Sequence, residues 1–213
     1  MKLYFTLWNV FIQDGNFDEL EVGKTFTDCS FELTDLENIS KSKNTNTNTE
    51  FKHIKENHYH IIGYIYRITK YAIFIEVAGL LLNIDNRDEY NIKNIGYYEF
   101  DGYLNNDMWN YFGLYDWNDD NDAKHSDELE LTGIIKSIQI DTSLYIQMGE
   151  RSWSKKGVES KYSVSVQKTN CWDDEDNYTN GSFNYLVELE IDNLKYIRRK
   201  FLYGMQNLQG LKL

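Results

Sequence analysis

The chain has 213 residues and a formal net charge of −12, which disfavours nucleic acid and anionic membrane surfaces as general partners, because binding them needs clustered Lys and Arg. A hydrophobic share of 41% is enough for a folded core. Seventeen Tyr, eleven Phe and five Trp, beside only three Ala, favour strands over helices, and the absence of Pro excludes proline-rich ligand motifs.

The first predicted elements are two strands and a loop. Residues 3–12 are rich in aromatic side chains, and residues 25–33 alternate polar with apolar side chains, as a strand with one buried face does. The Asn/Thr/Lys/Ser-rich run at 41–50 has too few apolar residues to bury and predicts a flexible loop. This loop separates residues 1–40, whose strands either join the main body or stand apart, from a main antiparallel β domain at 51–213.

A series of further strands follows the loop. Their predicted ranges are 58–70, 71–77, 96–104 in a hairpin with 109–115, 129–140 paired with 143–148, 162–168 and 183–191. Asp192-Asn193 predicts the turn of a last hairpin that joins 183–191 to 194–203. The spacing of Leu194, Ile197 and Phe201 also fits a helix, and that alternative stays open.

A short repeat suggests how the strands are arranged. The pattern Gly-x-Ile-x-x-Ile occurs at Gly63 and again at Gly133. A glycine inside a strand often marks a bulge or a sharp bend, as where a strand coils around a small barrel. We therefore predict a mainly β fold with little helix, an antiparallel barrel-like or sandwich body and two similar β-units.

The candidate metal ligands do not form a convincing set. His58 and His60 lie two residues apart, so that in a strand both face one way, and His53 is near them. Residues 116–122 resemble the start of a calcium-binding loop. Counted from Asp116, however, Asn121 stands at position 6, where such a loop has glycine, and Asp127 stands at position 12, where it has glutamate. Sequence predicts no metal and no cofactor, and solvent-facing strand residues are the simpler interpretation of the histidines.

The negative charge is concentrated in two segments that also hold aromatic residues. Residues 101–130 contain nine carboxylates and one Lys, and residues 173–176 are four consecutive acids. Aromatic anchors ringed by charge are typical of protein interfaces, although core aromatics beside acid-coated loops would give the same pattern. The predicted partner-binding residues are Trp109, Tyr115, Asp116, Trp117, Asp119, Asp120, Asp122, Trp172, Asp173, Asp174, Glu175 and Asp176.

In size, acidity, aromatic content and lack of a catalytic motif, the chain resembles the immunity proteins of bacterial toxin systems. That resemblance implies a basic protein partner, such as a toxin nuclease domain, blocked by occlusion and not by chemistry. The sequence has no nucleophile elbow, phosphate loop or dinucleotide fingerprint, so we do not expect an enzyme. A β-barrel that binds a small molecule or carbohydrate is the alternative, as is a β-rich protein without catalysis.

The expected location is the cytoplasm. The first ten residues lack the apolar run and cleavage site of a signal peptide, and no apolar stretch is long enough to span a membrane. Cys29 and Cys171 match no metal or redox spacing and are predicted to be reduced thiols.

Overall fold

The computed structural model describes residues 1–8, 19–27, 31–42, 48–69, 72–86, 88–106, 125–141, 145–149, 152–155, 162–169 and 184–200. These residues form thirteen strands and one turn of 3₁₀ helix at Asp88–Tyr90. The strands are β1 Lys2–Leu7, β2 Thr25–Thr27, β3 Phe31–Lys41, β4 Glu50–Lys55, β5 His58–Ile68, β6 Ala72–Val77, β7 Leu80–Asp85, β8 Gly96–Asn106, β9 His125–Asp141, β10 Tyr145–Gly149, β11 Ser152–Lys155, β12 Tyr162–Val166 and β13 Tyr185–Lys200. Within these ranges, no helix is long and apolar enough to cross a membrane.

Five strands close into a barrel, which confirms the predicted mainly β, barrel-like body. The ring runs β3–β7–β6–β5–β8 and returns to β3. Strands β5, β6 and β7 are joined by short connections, and β8 returns beside β5, which is the Greek-key order. All pairs in the ring are antiparallel except β3 with β7.

Of the remaining strands, β4 pairs with β5, and others extend the sheet outward from one end of β8. Thr6 of β1 pairs with Asn105 of β8, and the sheet continues through β13 and β9 to β12, with β2 also on β9. Strands β10 and β11 pair separately. β1 and β5 therefore share one edge of β8, which pairs with β5 along residues 96–103 and reaches β1 only at Asn105.

One apolar core joins the barrel to the outer strands. Phe5 of β1 contacts Phe26 of β2 at 5.7 Å and Phe31 of β3 at 4.9 Å between ring centroids. The barrel interior is filled by side chains that are at most 1% exposed, namely Leu33, Ile61, Ile65, Ile73, Ile75, Leu82, Ile84, Phe100 and Leu104. A five-stranded ring is narrow enough for its own side chains to fill it.

Two strand pairings differ from the predictions. The prediction of a hairpin at Asp192-Asn193 is wrong, and so is the alternative prediction of a helix over the described residues 194–200. β13 runs unbroken through this point, with a shift of register between Ile191 and Asn193. A bulge accommodates the turn-forming residues without reversing the chain. Residues 145–149 pair with β11, and not with β9 as predicted, because β13 and β12 occupy the edges of β9. The predicted hairpin arm at 109–115 and residues 43–47 of the predicted loop lie outside the described residues, and the two ends of that loop belong to β3 and β4.

Both repeat glycines lie where another strand comes close. A Cβ on Gly63 would lie 2.5 Å from Cδ1 of Ile75, at the point where one edge of β5 changes partner from β4 to β6. A Cβ on Gly133 would lie 2.7 Å from the backbone oxygen of Glu190. The two segments have different neighbours, since β5 belongs to the barrel and β9 to the outer sheet.

Candidate functional site

The twelve predicted partner-binding residues fall at 109–122 and 172–176 and lie outside the described residues. The acidic segment that contains the first group begins, however, at Asp101, which lies in β8. The surface around Asp101 is therefore the described part of the molecule in which to look for a binding site.

The outer face of the barrel is built by alternation along β5 and β8. In β5, Tyr59, Ile61 and Ile65 are buried inside, and the residues between them are half-buried on the outside. Because directly paired residues share a face of a sheet, the register extends this face to the neighbouring strands. It pairs His58 with Tyr103, His60 with Asp101, Ile62 with Glu99 and Tyr64 with Tyr97 across β5 and β8, and adds Glu50 and Lys52 from β4, Glu76 from β6 and Glu37 from β3.

This surface, which we call the acidic face, carries more negative than positive charge. Its five carboxylates are Glu37, Glu50, Glu76, Glu99 and Asp101. Among the described residues of the same strands, the cations on this side are Lys52 and Lys55 of β4 and, at the far end of β5, Arg67, whose guanidinium lies 5.2 Å from the Phe74 ring centroid. The excess of carboxylates gives the face a negative potential.

Asp101 is held in one orientation at the centre of the acidic face. Asn38 donates to one of its oxygens at 2.8 Å, and Nδ1 of His60 lies 2.9 Å from the other. The hydrogen bond from Asn38, followed by that from His60, holds the pKa of Asp101 below its usual value. Asn38 has a positive φ of 55° and lies where the register of β3 against β8 shifts, so that an irregular strand aims its side chain at Asp101.

Aromatic pairs flank this charged centre on both sides. His58 stacks on Tyr103 with centroids 4.5 Å apart and planes 9° from parallel. At the other end, Tyr64 and Tyr97 lie 5.0 Å apart at 52°. All four rings are half-buried, so part of each remains open to a partner. Rings of this kind supply contact area at low entropic cost in protein interfaces.

The three histidines considered as metal ligands are separated by the sheet. His58 and His60 both lie on the outer face, as their spacing predicts. His53 pairs with Tyr59 and therefore belongs to the opposite face, where its ring stacks on Tyr4 at 4.4 Å. The described residues contain no group of three or more His, Cys, Asp or Glu side chains that could hold a metal ion.

Tyr59 closes the gap between the barrel and β1. Its hydroxyl accepts a hydrogen bond from the backbone N–H of Tyr4 at 2.6 Å and donates to the backbone oxygen of Tyr4 at 3.1 Å. The ring also stacks on Phe51 at 4.2 Å. Burial raises the pKa of Tyr59 well above its usual value. β1 pairs with β13 on one edge, and on its other edge it meets β8 only at Thr6, so the hydroxyl of Tyr59 supplies the partners of two Tyr4 backbone groups.

A second polar cluster on the outer sheet is neutralised by its own partners. Glu188 accepts from Lys2 at 2.7 Å and from the hydroxyl of Ser137 at 3.2 Å. Burial alone would raise the pKa of Glu188, but the hydrogen bond and charge of Lys2, with hydrogen bonds from Ser137 and Tyr4, lower it overall. Because the carboxylate is already paired, this cluster ties β1, β13 and β9 together and is a weaker candidate for binding.

No protein-family model, no curated protein and no solved structure matches this chain.

The sequence contained part of the signal for the acidic face. The outward positions of β8 read Tyr97, Glu99, Asp101 and Tyr103, a period of two that was visible in the chain. What could not be read was the pairing that sets these residues beside β5 and β3, because register depends on the closure of the whole barrel.

Proposed function

We propose that this chain is a protein-binding module that recognises a basic protein domain, and that it acts as an immunity protein that blocks a toxin by covering it. The observation that carries the proposal is the acidic face, in which five carboxylates surround half-buried aromatic rings on a rigid barrel.

Charge supports a basic partner. The net charge of −12 gives the whole molecule a field that attracts cations, and Glu37, Glu99 and Asp101 add a local concentration of the same sign. Complementary charge accelerates encounter and rejects acidic competitors more than it adds to final affinity. The partner expected from this chemistry is a domain with clustered Lys and Arg, such as a toxin nuclease.

Rigid support favours recognition by a preformed surface. The residues beneath the acidic face are buried core residues of the closed barrel, and the His60–Asp101–Asn38 hydrogen bonds fix the central carboxylate before any partner arrives. Side chains that are already ordered lose less entropy on binding. Occlusion of a toxin needs this kind of fixed surface and needs no catalytic group.

The predicted binding residues at 109–122 and 172–176 belong to this proposal by their acidic and aromatic composition. Asp101, which belongs to the acidic face, is the first carboxylate of the segment 101–130. We expect that Asp119, Asp120 and Asp122 changed together to Asn slow association with the basic partner. An unchanged association rate at low ionic strength would count against a role for this segment.

Growth rescue tests the function directly. The protein encoded beside this chain is expressed in cells alone, with the wild-type chain, or with a Glu99→Lys variant of it. We expect the neighbour to arrest growth, the wild-type chain to restore it, and Glu99→Lys to restore it less at equal expression. A neighbour that stays toxic beside abundant folded wild-type chain would contradict the immunity function.

A further inference from the structure

We propose that Glu99, together with the Tyr64–Tyr97 pair, forms a subsite of the acidic face that takes an arginine side chain from the partner. The inference rests on the proposed function, since it names the group of the basic partner that this part of the surface fits.

Of the two carboxylates Glu99 and Asp101, Glu99 is the one that can receive a donor from a partner. Asp101 already receives hydrogen bonds from Asn38 and His60. Glu99, by contrast, has a side chain that is 49% exposed, and its Oε1 lies 3.7 Å from Nε2 of His60, beyond hydrogen-bond range. The half-exposed carboxylate of Glu99 can therefore accept hydrogen bonds from a donor outside the chain.

The rings of Tyr64 and Tyr97 lie on the same face of the sheet as the Glu99 carboxylate. Tyr97 lies two residues before Glu99 on the same face of β8, and Tyr64 is directly opposite Tyr97 on β5. Glu99 is thus the diagonal neighbour of Tyr64, a separation that long and aromatic side chains span. Ile62, directly opposite Glu99, adds an apolar side chain to the same face.

This combination suits a guanidinium better than an ammonium. A planar guanidinium can stack on a tyrosine ring while it donates two parallel hydrogen bonds to one carboxylate, whereas an ammonium presents a compact charge with no flat face. A stack on Tyr64 or Tyr97 would direct the fork of the guanidinium toward Glu99. The subsite therefore predicts a preference for arginine that charge alone would not give.

The test uses an oligo-arginine peptide and an oligo-lysine peptide of equal length, titrated into the full chain at low ionic strength by calorimetry. Two variants probe the subsite, Glu99→Gln and Tyr97→Leu, and Glu21→Gln is the control. Glu21 is exposed and lies outside the barrel strands, where its backbone forms an isolated β-bridge with Lys168. Its substitution removes the same charge as Glu99→Gln. Backbone amide shifts of β5 and β8 on adding blocked arginine amide report the location.

We expect the wild-type chain to bind the arginine peptide about five- to tenfold more tightly than the lysine peptide, as one cation–π contact with a charge-assisted hydrogen bond implies. Glu99→Gln and Tyr97→Leu should each remove most of that preference, Glu21→Gln should keep it, and the amide shifts should centre on Glu99 and Tyr64. Equal binding of both peptides, or an arginine preference that survives both variants, would overturn the subsite and leave the basic-partner function standing. Failure of the wild-type chain to bind either peptide would contradict both.

Discussion

Removing one hydroxyl tests how the barrel is attached to β1. In a Tyr59→Phe variant the ring keeps its stack on Phe51 at 4.2 Å, so packing is preserved and only the oxygen is lost. The backbone N–H and oxygen of Tyr4 then lose the partners they have at 2.6 and 3.1 Å. Tyr59 is 1% exposed, so water cannot easily replace its hydroxyl.

The expected cost follows from two lost hydrogen bonds. Each contributes about 0.5–1.5 kcal/mol, and unpaired groups in a buried position raise the cost, so the free energy of unfolding should fall by about 2–3 kcal/mol. For a chain of this length that corresponds to a fall in melting temperature of roughly 4–12 °C. Urea unfolding followed by tryptophan fluorescence measures the change.

Tyr97→Phe is the matched control, because Tyr97 is a half-buried residue on the outer face, and we expect it to cost less than about 0.5 kcal/mol. If Tyr59→Phe were as stable as Tyr97→Phe, the hydroxyl would not hold β1 to the barrel.

Alkaline pH gives a second readout of the Tyr59 hydroxyl. Because burial raises the pKa of Tyr59, its contribution should be complete below about pH 10, the ordinary tyrosine value, and be lost above it. The Phe variant should lack this alkaline loss.

Two further predictions concern close packing and acid stability. Gly133→Ala should destabilise by about 3 kcal/mol and Gly63→Ala by less, because the new Cβ meets a backbone oxygen of Glu190 at the first site and the end of the Ile75 side chain at the second. Equal unfolding midpoints for the two variants would contradict this order. Since the pKa of Asp101 is lowered, its stabilising contribution is present above the ordinary carboxyl pKa and is lost as the pH falls below it. The stability difference between wild type and Asp101→Asn should therefore shrink from about pH 6 to about pH 3, and a constant difference would refute the role of ionisation.

The fold was predictable in class because the relevant information is local. Alternation in residues 25–33 and the scarcity of Ala indicated strands, and a glycine within β5 indicated a bend in a barrel strand. The strand order was not predictable, since β1 pairs with β13 from the other end of the chain. The prediction of a turn at Asp192-Asn193 failed for a related reason. These residues favour a reversal of the chain, but pairing with the long strand β9 keeps β13 extended.

The candidate site was predictable only in its chemistry. The acidic and aromatic composition pointed to protein binding, and the structure describes Asp101 but not the twelve residues first selected. Glu99 and Tyr64 are far apart in sequence and come together only through the register of β5 with β8. Asn38 gave no sequence signal, because its role depends on a positive φ in an irregular strand.

The association rate of the chain with the protein encoded beside it, measured by stopped flow as a function of ionic strength, tests the acidic face most directly. Glu99→Lys should slow association about tenfold at low ionic strength and flatten its salt dependence, whereas Glu21→Lys, with the same change in net charge, should change the rate far less. Equal slowing by the two variants would mean that only net charge matters, and no slowing by Glu99→Lys would mean that the partner does not approach this face.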